Sequence, residues 1–238
     1  MRKEEVLAKI NNEILVSCQA YNPNPFANVE DMVKMAKCAV MAKAKGLRVN
    51  SPSHVSAIRE AVGPEIVIIG IWKQMLKGSD VYITLTMEAV DELVAAGSDI
   101  VALDCTDRVN FYGYKGYDLV AKIKAKYPEL VIMGDCSTLD EVKLAKAAGV
   151  DIVSCTLSGY TKYTTQLKND APDFALIKAM SKIEGVFVIA EGKVWTREEA
   201  IQCFENGANA VVIGTAITSP WKIAERFITA RNEYFYGK

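Results

Sequence analysis

The chain has one histidine, His54, and none of its six cysteines falls in a CxxC pair. A single imidazole cannot build a cluster of histidine metal ligands, and thiols scattered this way argue against a zinc site or a disulfide framework. Four of the cysteines lie in or at the ends of apolar strand-like runs, where a thiol packs as a small hydrophobe. His54 follows "NSPS" at an expected helix start, which suits a surface or capping position. Excess charge of either sign is missing too. With 28 Lys and Arg against 29 Asp and Glu, no general attraction to nucleic acid or to an anionic membrane is expected. No apolar run approaches the length that spans a bilayer, and "MRKEEVLAKINNE" lacks the apolar segment of a signal peptide. A cytoplasmic chain is expected. No linker, low-complexity run or charge block divides residues 1–238, so one domain is expected.

What the chain does have is repetition. "AVDELVAAGSDIVALD", "EVKLAKAAGVDIVSCT" and "EAIQCFENGANAVVIGT" each read as an amphipathic helix, a glycine and a short buried strand. Glycine just past a helix supplies the left-handed turn that ends it. "MAKAKGLRVN" is a weaker copy, which puts the four glycines at Gly46, Gly97, Gly149 and Gly207. Apolar strand cores are expected at 13–19, 46–50, 66–71, 99–104, 130–135, 151–156, 186–191 and 209–214. Helical patterns fall between them, at 28–45, 53–62, 87–96, 117–126, 138–148, 172–183 and 196–206, with a last one at 220–232. "DVYITLT" at 80–86 reads as an extra short strand. Eight alternating units in 238 residues predict a single-domain α/β fold, the (β/α)8 TIM barrel. A doubly wound open sheet is the alternative, weakened because no GxGxxG follows the first strand.

In such a barrel the loops at the carboxyl ends of the strands build the active site. Those ends carry Gln19, Arg48, Lys73, Asp104, Asp135, Thr156 and Glu191, and the eighth reaches Gly214. Seven polar side chains delivered to one rim predict a polar pocket rather than a purely structural barrel. Gly192, Gly214 and Thr215 sit in the last two loops, where backbone amides and a hydroxyl hold phosphate in many barrels. Lys73 ends the buried run "IVIIGIW", and an ammonium at the edge of a core is costly unless it is paired or gives up its charge. It could serve as a proton-transfer base, as a Schiff-base nucleophile, or as one half of an ion pair with Glu191 or Asp135. A phosphate-binding sensor without catalysis is a further reading from a different class.

The motifs "ILVSCQA", "GIWK", "EAVDELVAAGSDIVALDCTDR", "DCSTLDE", "TLSGYT", "VIAEGK" and "GTAIT" occur in this order at suitable spacing. Together they resemble the N-acetylmannosamine-6-phosphate 2-epimerase family, also called N-acylglucosamine-6-phosphate 2-epimerase, over nearly the whole chain. The resemblance implies a barrel that inverts C2 of an N-acylated amino-sugar 6-phosphate, in the breakdown of sialic acid and amino sugars. It implies no organic cofactor and no required metal, a small phosphosugar as partner, and room for a homodimer. By motif it places the acid/base lysine on Lys73 and its partner carboxylate on Glu191. Substrate-positioning roles fall on Gln19, Arg48 and Asp135, with Thr156, Gly192, Gly214 and Thr215 completing the binding set. Two positions depart from the family pattern: Ser219 and Gln74 stand where arginine is usual. Lys193 and Lys222 are the nearby cations that could compensate for them.

Overall fold

The computed structural model describes residues 2–20, 23–167 and 171–237. Helix α1 (Lys3–Ile10) precedes strand β1 (Glu13–Cys18) and α2 (Val29–Met41). The units β2 (Gly46–Asn50) with α3 (Pro52–Val62), β3 (Val67–Ile71) with α4 (Met87–Ala95), and β4 (Ile100–Asp104) with α5 (Gly116–Lys126) follow. Next come β5 (Val131–Asp135) with α6 (Leu139–Ala148), β6 (Ile152–Ser154) with α7 (Phe174–Met180), and β7 (Phe187–Glu191) with α8 (Arg197–Glu205). Strand β8 (Ala210–Ile213) leads to a short α9 (Thr215–Thr218) and a long α10 (Pro220–Tyr236). All eight strands pair in parallel in chain order, and β8 closes onto β1. The expected (β/α)8 barrel is the observed fold.

Side chains in a strand point alternately to the two faces of the sheet, and the burial follows that period. One set, including Leu15, Ile69, Ile71, Ala102, Met133, Ile152, Ile189 and Val212, packs together inside the barrel. The alternate set, including Val16, Leu47, Ile68, Val101, Ile132, Val153, Val188 and Val211, packs under the helices. The helices start where the sequence supplies caps. The side chains of Asn28, Thr86, Thr138 and Thr196 accept from Asp31, Ala89, Glu141 and Glu199 backbone N–H groups, which satisfies donors left open in a first turn.

Several expectations need correction. Helix α1 was not expected, because an eight-residue helix that buries only Val6 and Ile10 shows little periodicity. Those two side chains join the interior cluster, so α1 plugs the amino-terminal end of the barrel. Segment 80–86 is not a strand; it forms one antiparallel bridge, Ile83 to Lys73. Gly97, Gly149 and Gly207 have the positive φ expected of helix stops, but Gly46 lies within β2, and Lys43 takes the left-handed turn (φ 70°) after α2. The last helix opens at Pro220 as expected, a proline suiting a first helical position, but it runs on to Tyr236, and an unexpected short helix, Thr215–Thr218, precedes it. No residue of α10 is buried. Strand and helix boundaries elsewhere fall within a few residues of those expected. His54 hydrogen-bonds Ser51 Oγ (2.7 Å) and the Ala27 carbonyl (3.3 Å), tying the start of α3 to the preceding loop. Cys18, Cys105, Cys136, Cys155 and Cys203 are buried free thiols, and Cys38 is exposed.

Among the described residues, no helix is long and apolar enough to cross a membrane, and no group of His, Cys, Asp and Glu is placed to hold a metal ion.

Candidate active site

The interior parity of each strand continues past its last apolar residue, so the residues that follow reach the same space. Leu15 is followed two residues on by Ser17 and then Gln19, Ile71 by Lys73, Ala102 by Asp104 and Met133 by Asp135. Ile152 is followed by Ser154 and Thr156, Ile189 by Glu191, and Val212 by Gly214. Seven strands of inward positions therefore end at one rim, and Arg48 of β2 reaches the same cavity.

A cavity of about 870 Å³ opens there, within the usual range for a small-molecule site. Gln19, Arg48, Lys73, Thr156, Glu191, Gly192, Gly214 and Thr215 all line it. Asp135 does not. It is fully buried behind Arg48, and the structure makes it a support for that guanidinium rather than part of the cavity wall. Asp104 is likewise set back, tied to Arg108 at 2.6 Å and to the Thr106 hydroxyl at 2.6 Å. Burial raises the Asp104 carboxyl above its usual range, an effect partly offset by Arg108.

Arg48 is the hub. Its side chain is 1% exposed, and its Nη2 meets Asp135 Oδ2 at 2.5 Å while Nη1 meets Asp135 Oδ1 at 3.1 Å. Nη1 also donates to Glu191 Oε2 and to Thr156 Oγ1. The Thr156 hydroxyl lies between the two carboxylates, 3.0 Å from Asp135 and 3.2 Å from Glu191. Ser154 Oγ adds a 3.0 Å bond to Asp135. Burial alone would disfavour the Arg48 charge, but the two carboxylates outweigh it and raise its pKa. Burial also raises the Glu191 carboxyl, against the lowering effect of Arg48.

The amine of Lys73 feels the same surroundings with the opposite outcome. Burial, reinforced by the Arg48 charge, lowers its pKa from 10.5 to about 8, although Glu191 and Asp135 pull the other way. A lysine so placed is partly neutral near physiological pH, as a base must be. Two polar atoms of the cavity-lining residues are buried with no partner among the described residues: Gln19 Oε1 and Arg48 Nε. Buried polar atoms are ordinarily satisfied, so an acceptor and a donor left open beside the cavity indicate a polar ligand. Gln74 Oε1 is similarly buried and open, but Gln74 is outside the cavity wall.

Sequence reasoning missed Ser17, Tyr82, Tyr160 and Trp195 as cavity-lining residues. Counting inward parity along β1 finds Ser17. Tyr82 arrives on the bridge segment, and Tyr160 and Trp195 on loops, where no periodicity marks them. Tyr160 lies under the Lys193 amine, 5.5 Å from its ring centroid. Lys193, Ser219 and Lys222 border the same cavity.

Comparison with known proteins gives a consistent picture. Residues 32–233 match the family model described as "Putative N-acetylmannosamine-6-phosphate epimerase". A relative from Caldanaerobacter subterraneus subsp. tengcongensis is 41% identical over 98% of this chain and 97% of its own. One from Listeria welshimeri is 38% identical over 98% of both. Each carries the name "Putative N-acetylmannosamine-6-phosphate 2-epimerase". The solved N-acetylmannosamine-6-phosphate 2-epimerase of Clostridium perfringens superposes with a TM-score of 0.88 at 36% identity, covering 94% of this chain and 95% of that one. The thiamine phosphate pyrophosphorylase of Pyrococcus furiosus, at 13% identity and a TM-score of 0.58 over 96% of this chain and 99% of its own, shares the fold.

Proposed function

The chain belongs to the N-acetylmannosamine-6-phosphate epimerase family, and from that premise we propose that it interconverts N-acetylmannosamine 6-phosphate and N-acetylglucosamine 6-phosphate by proton transfer at C2, as a step in sialic acid and amino-sugar breakdown. The observation that carries the mechanism is the lysine of lowered pKa facing a cavity beside a carboxylate of raised pKa.

With the sugar ring open, C1 is an aldehyde, and loss of the C2 proton gives an enolate whose charge spreads onto O1. The neutral Lys73 amine accepts that proton. Arg48, with its open Nε–H donor, stabilises the developing oxyanion. Glu191 moves protons between O1 and the ring oxygen during opening and closing. Return of a proton to the opposite face of C2 inverts the centre. Gln19 Oε1 accepts from a substrate hydroxyl or amide N–H, and Asp135 and Thr156 keep Arg48 and Glu191 in register. The phosphate lies against Gly192, Gly214 and Thr215, with Lys193 and Lys222 supplying the positive charge that arginine supplies elsewhere in the family. None of these steps draws on a metal or an organic cofactor.

Proton NMR of N-acetylmannosamine 6-phosphate with the enzyme in deuterated water tests this directly. The C2–H signal is expected to disappear as the gluco epimer accumulates. Turnover without deuterium at C2 would rule out the proton-transfer route. Binding without exchange would identify a sensor, and a borohydride-trapped adduct would identify Schiff-base chemistry. Free N-acetylmannosamine is expected to be a much poorer substrate; equal turnover would overturn the phosphate assignment.

Helix α10 leaves Phe227, Ile228, Tyr234 and Phe235 between 54% and 83% exposed. Exposed apolar surface on one element marks an interaction site, and we assign it to a second copy of this chain. Light scattering is expected to give twice 26.1 kDa, and the double substitution Phe227→Glu with Phe235→Glu is expected to give the monomer mass. A parent protein that is monomeric at micromolar concentration overturns the assignment. The free thiols and a phosphorylated substrate suit a cytoplasmic enzyme.

A further inference from the structure

Lys73 lies two residues beyond the end of β3, so the barrel ladder does not hold it in place. Its backbone is nevertheless fixed from two sides. From β2, Asn50 Oδ1 accepts the Lys73 backbone N–H at 2.8 Å. From the 80–86 segment, Thr84 Oγ1 accepts from Trp72 N–H at 3.2 Å, and Thr84 N–H donates back to the Trp72 carbonyl at 2.9 Å. Gln74 N–H donates to the Tyr82 carbonyl at 2.8 Å. Thr84 is itself anchored, its hydroxyl donating to the Ala102 carbonyl of β4 at 2.7 Å.

The backbone is unusual at both attachments. Ser51, directly after Asn50, has φ 76° and ψ 147°, and Thr84 has φ 50°. Side-chain-bearing residues avoid such positive φ values, and where they persist the surrounding structure holds them for a purpose. The turn at Ser51 sends its N–H to the Ile71 carbonyl at 2.7 Å, keeping the end of β2 against the end of β3. Asn50 shares the inward parity of Arg48, two residues before it, yet Asn50 is not part of the cavity wall. Its carboxamide meets the lysine backbone instead of a ligand.

We propose that Asn50 is a positioning residue for the epimerisation: it fixes the main chain of Lys73, so that the amine at the end of a flexible four-carbon stem starts from one defined point beside C2. This rests on the reading of Lys73 as the proton carrier. Misplacement of a reacting group by about 1 Å can cost on the order of 100-fold in rate.

Asn50→Ala is expected to lower kcat by about 100-fold with KM within about threefold of the parent. The kinetic isotope effect with C2-deuterated substrate is expected to rise as proton transfer becomes more rate-limiting. Asn50→Asp keeps the acceptor and is expected to restore most of kcat. The added carboxylate favours the ammonium form of Lys73, so the rising limb of the pH profile should move to higher pH. An Asn50→Ala enzyme with kcat within threefold of the parent overturns the proposal, as does a loss with an unchanged isotope effect that Asn50→Asp fails to rescue. If Asn50→Ala does not fold, Asn50→Asp decides alone: a displaced limb with retained turnover supports the role, and an unmoved limb or lost turnover overturns it. Lys73→Met serves as the control. Activity there removes the lysine assignment itself, whereas an inactive Lys73→Met beside a fully active Asn50→Ala removes only the positioning role.

Discussion

Lys73→Met is expected to abolish epimerisation and to make the protein more stable at the same time. The activity loss is put at about 1,000-fold or more, the scale on which a well-placed acid/base group contributes. The stability gain comes from the same physics that makes the amine useful. Lys73 has a pKa of about 8 in the fold, against 10.5 without burial. Between these values the unfolded chain binds more protons than the folded one, so stability of the parent rises with pH through that window. Below pH 8 the full penalty is present. A thioether of similar length carries none of it, so the variant should gain about 1–3 kcal/mol at pH 7, with the advantage fading towards pH 10.5. Denaturant titrations at pH 7 and pH 10 measure this. In the parent enzyme, kcat/KM should rise as pH passes through about 8. A Lys73→Met enzyme that keeps a substantial fraction of parental turnover would remove the lysine from the mechanism.

Arg48→Met is expected to cost both activity and fold. The guanidinium bonds Asp135, which is fully buried, and Glu191, which is 13% exposed. Removing it leaves two acidic groups close together with no cation between them. Loss of one partner from a buried ion pair typically costs about 3–5 kcal/mol. For a domain of this size that amounts to a drop of roughly 10 °C in melting temperature. Glu191, already raised by burial, should rise further and hold its proton at neutral pH. Its folded pKa would then exceed its unfolded one by more than in the parent, so the variant binds extra protons when folded and loses more stability as pH climbs. The deficit against the parent should therefore be smaller at pH 5 than at pH 8. Thermal melts at the two pH values test this; equal deficits would mean that the carboxylates are not coupled through Arg48.

The barrel was legible because each strand–helix unit repeats the same local grammar. Thr138 with Glu141 and Thr196 with Glu199 mark helix starts, and Gly149 and Gly207 mark stops. A run of apolar residues such as "IVAL" in β4 needs cover on both faces. The elements that escaped notice have weak or misleading local signals. Helix α1 buries only two side chains, Val6 and Ile10, and so carries little periodicity. The 80–86 segment has the composition of a strand but finds only one bridging partner, at Lys73. Helix α10 extends past its expected end, and its aromatic residues there are exposed.

For the site, the sequence by itself determined which side chains reach the rim. Inward parity is a local property of an extended chain, and it carries Gln19, Lys73, Thr156 and Glu191 to one end of the barrel in advance of any contact. Only the tertiary structure decided what those groups become. Arg48 meets Asp135 across 87 residues of chain and Glu191 across 143, and closure of the sheet is what brings them together. The fall of the Lys73 pKa, the rise at Glu191, the withdrawal of Asp135 behind the guanidinium and the grip of Asn50 on the lysine backbone all follow from that closure. Charge–charge energies and desolvation depend on distances through space, and a linear order of residues does not contain them.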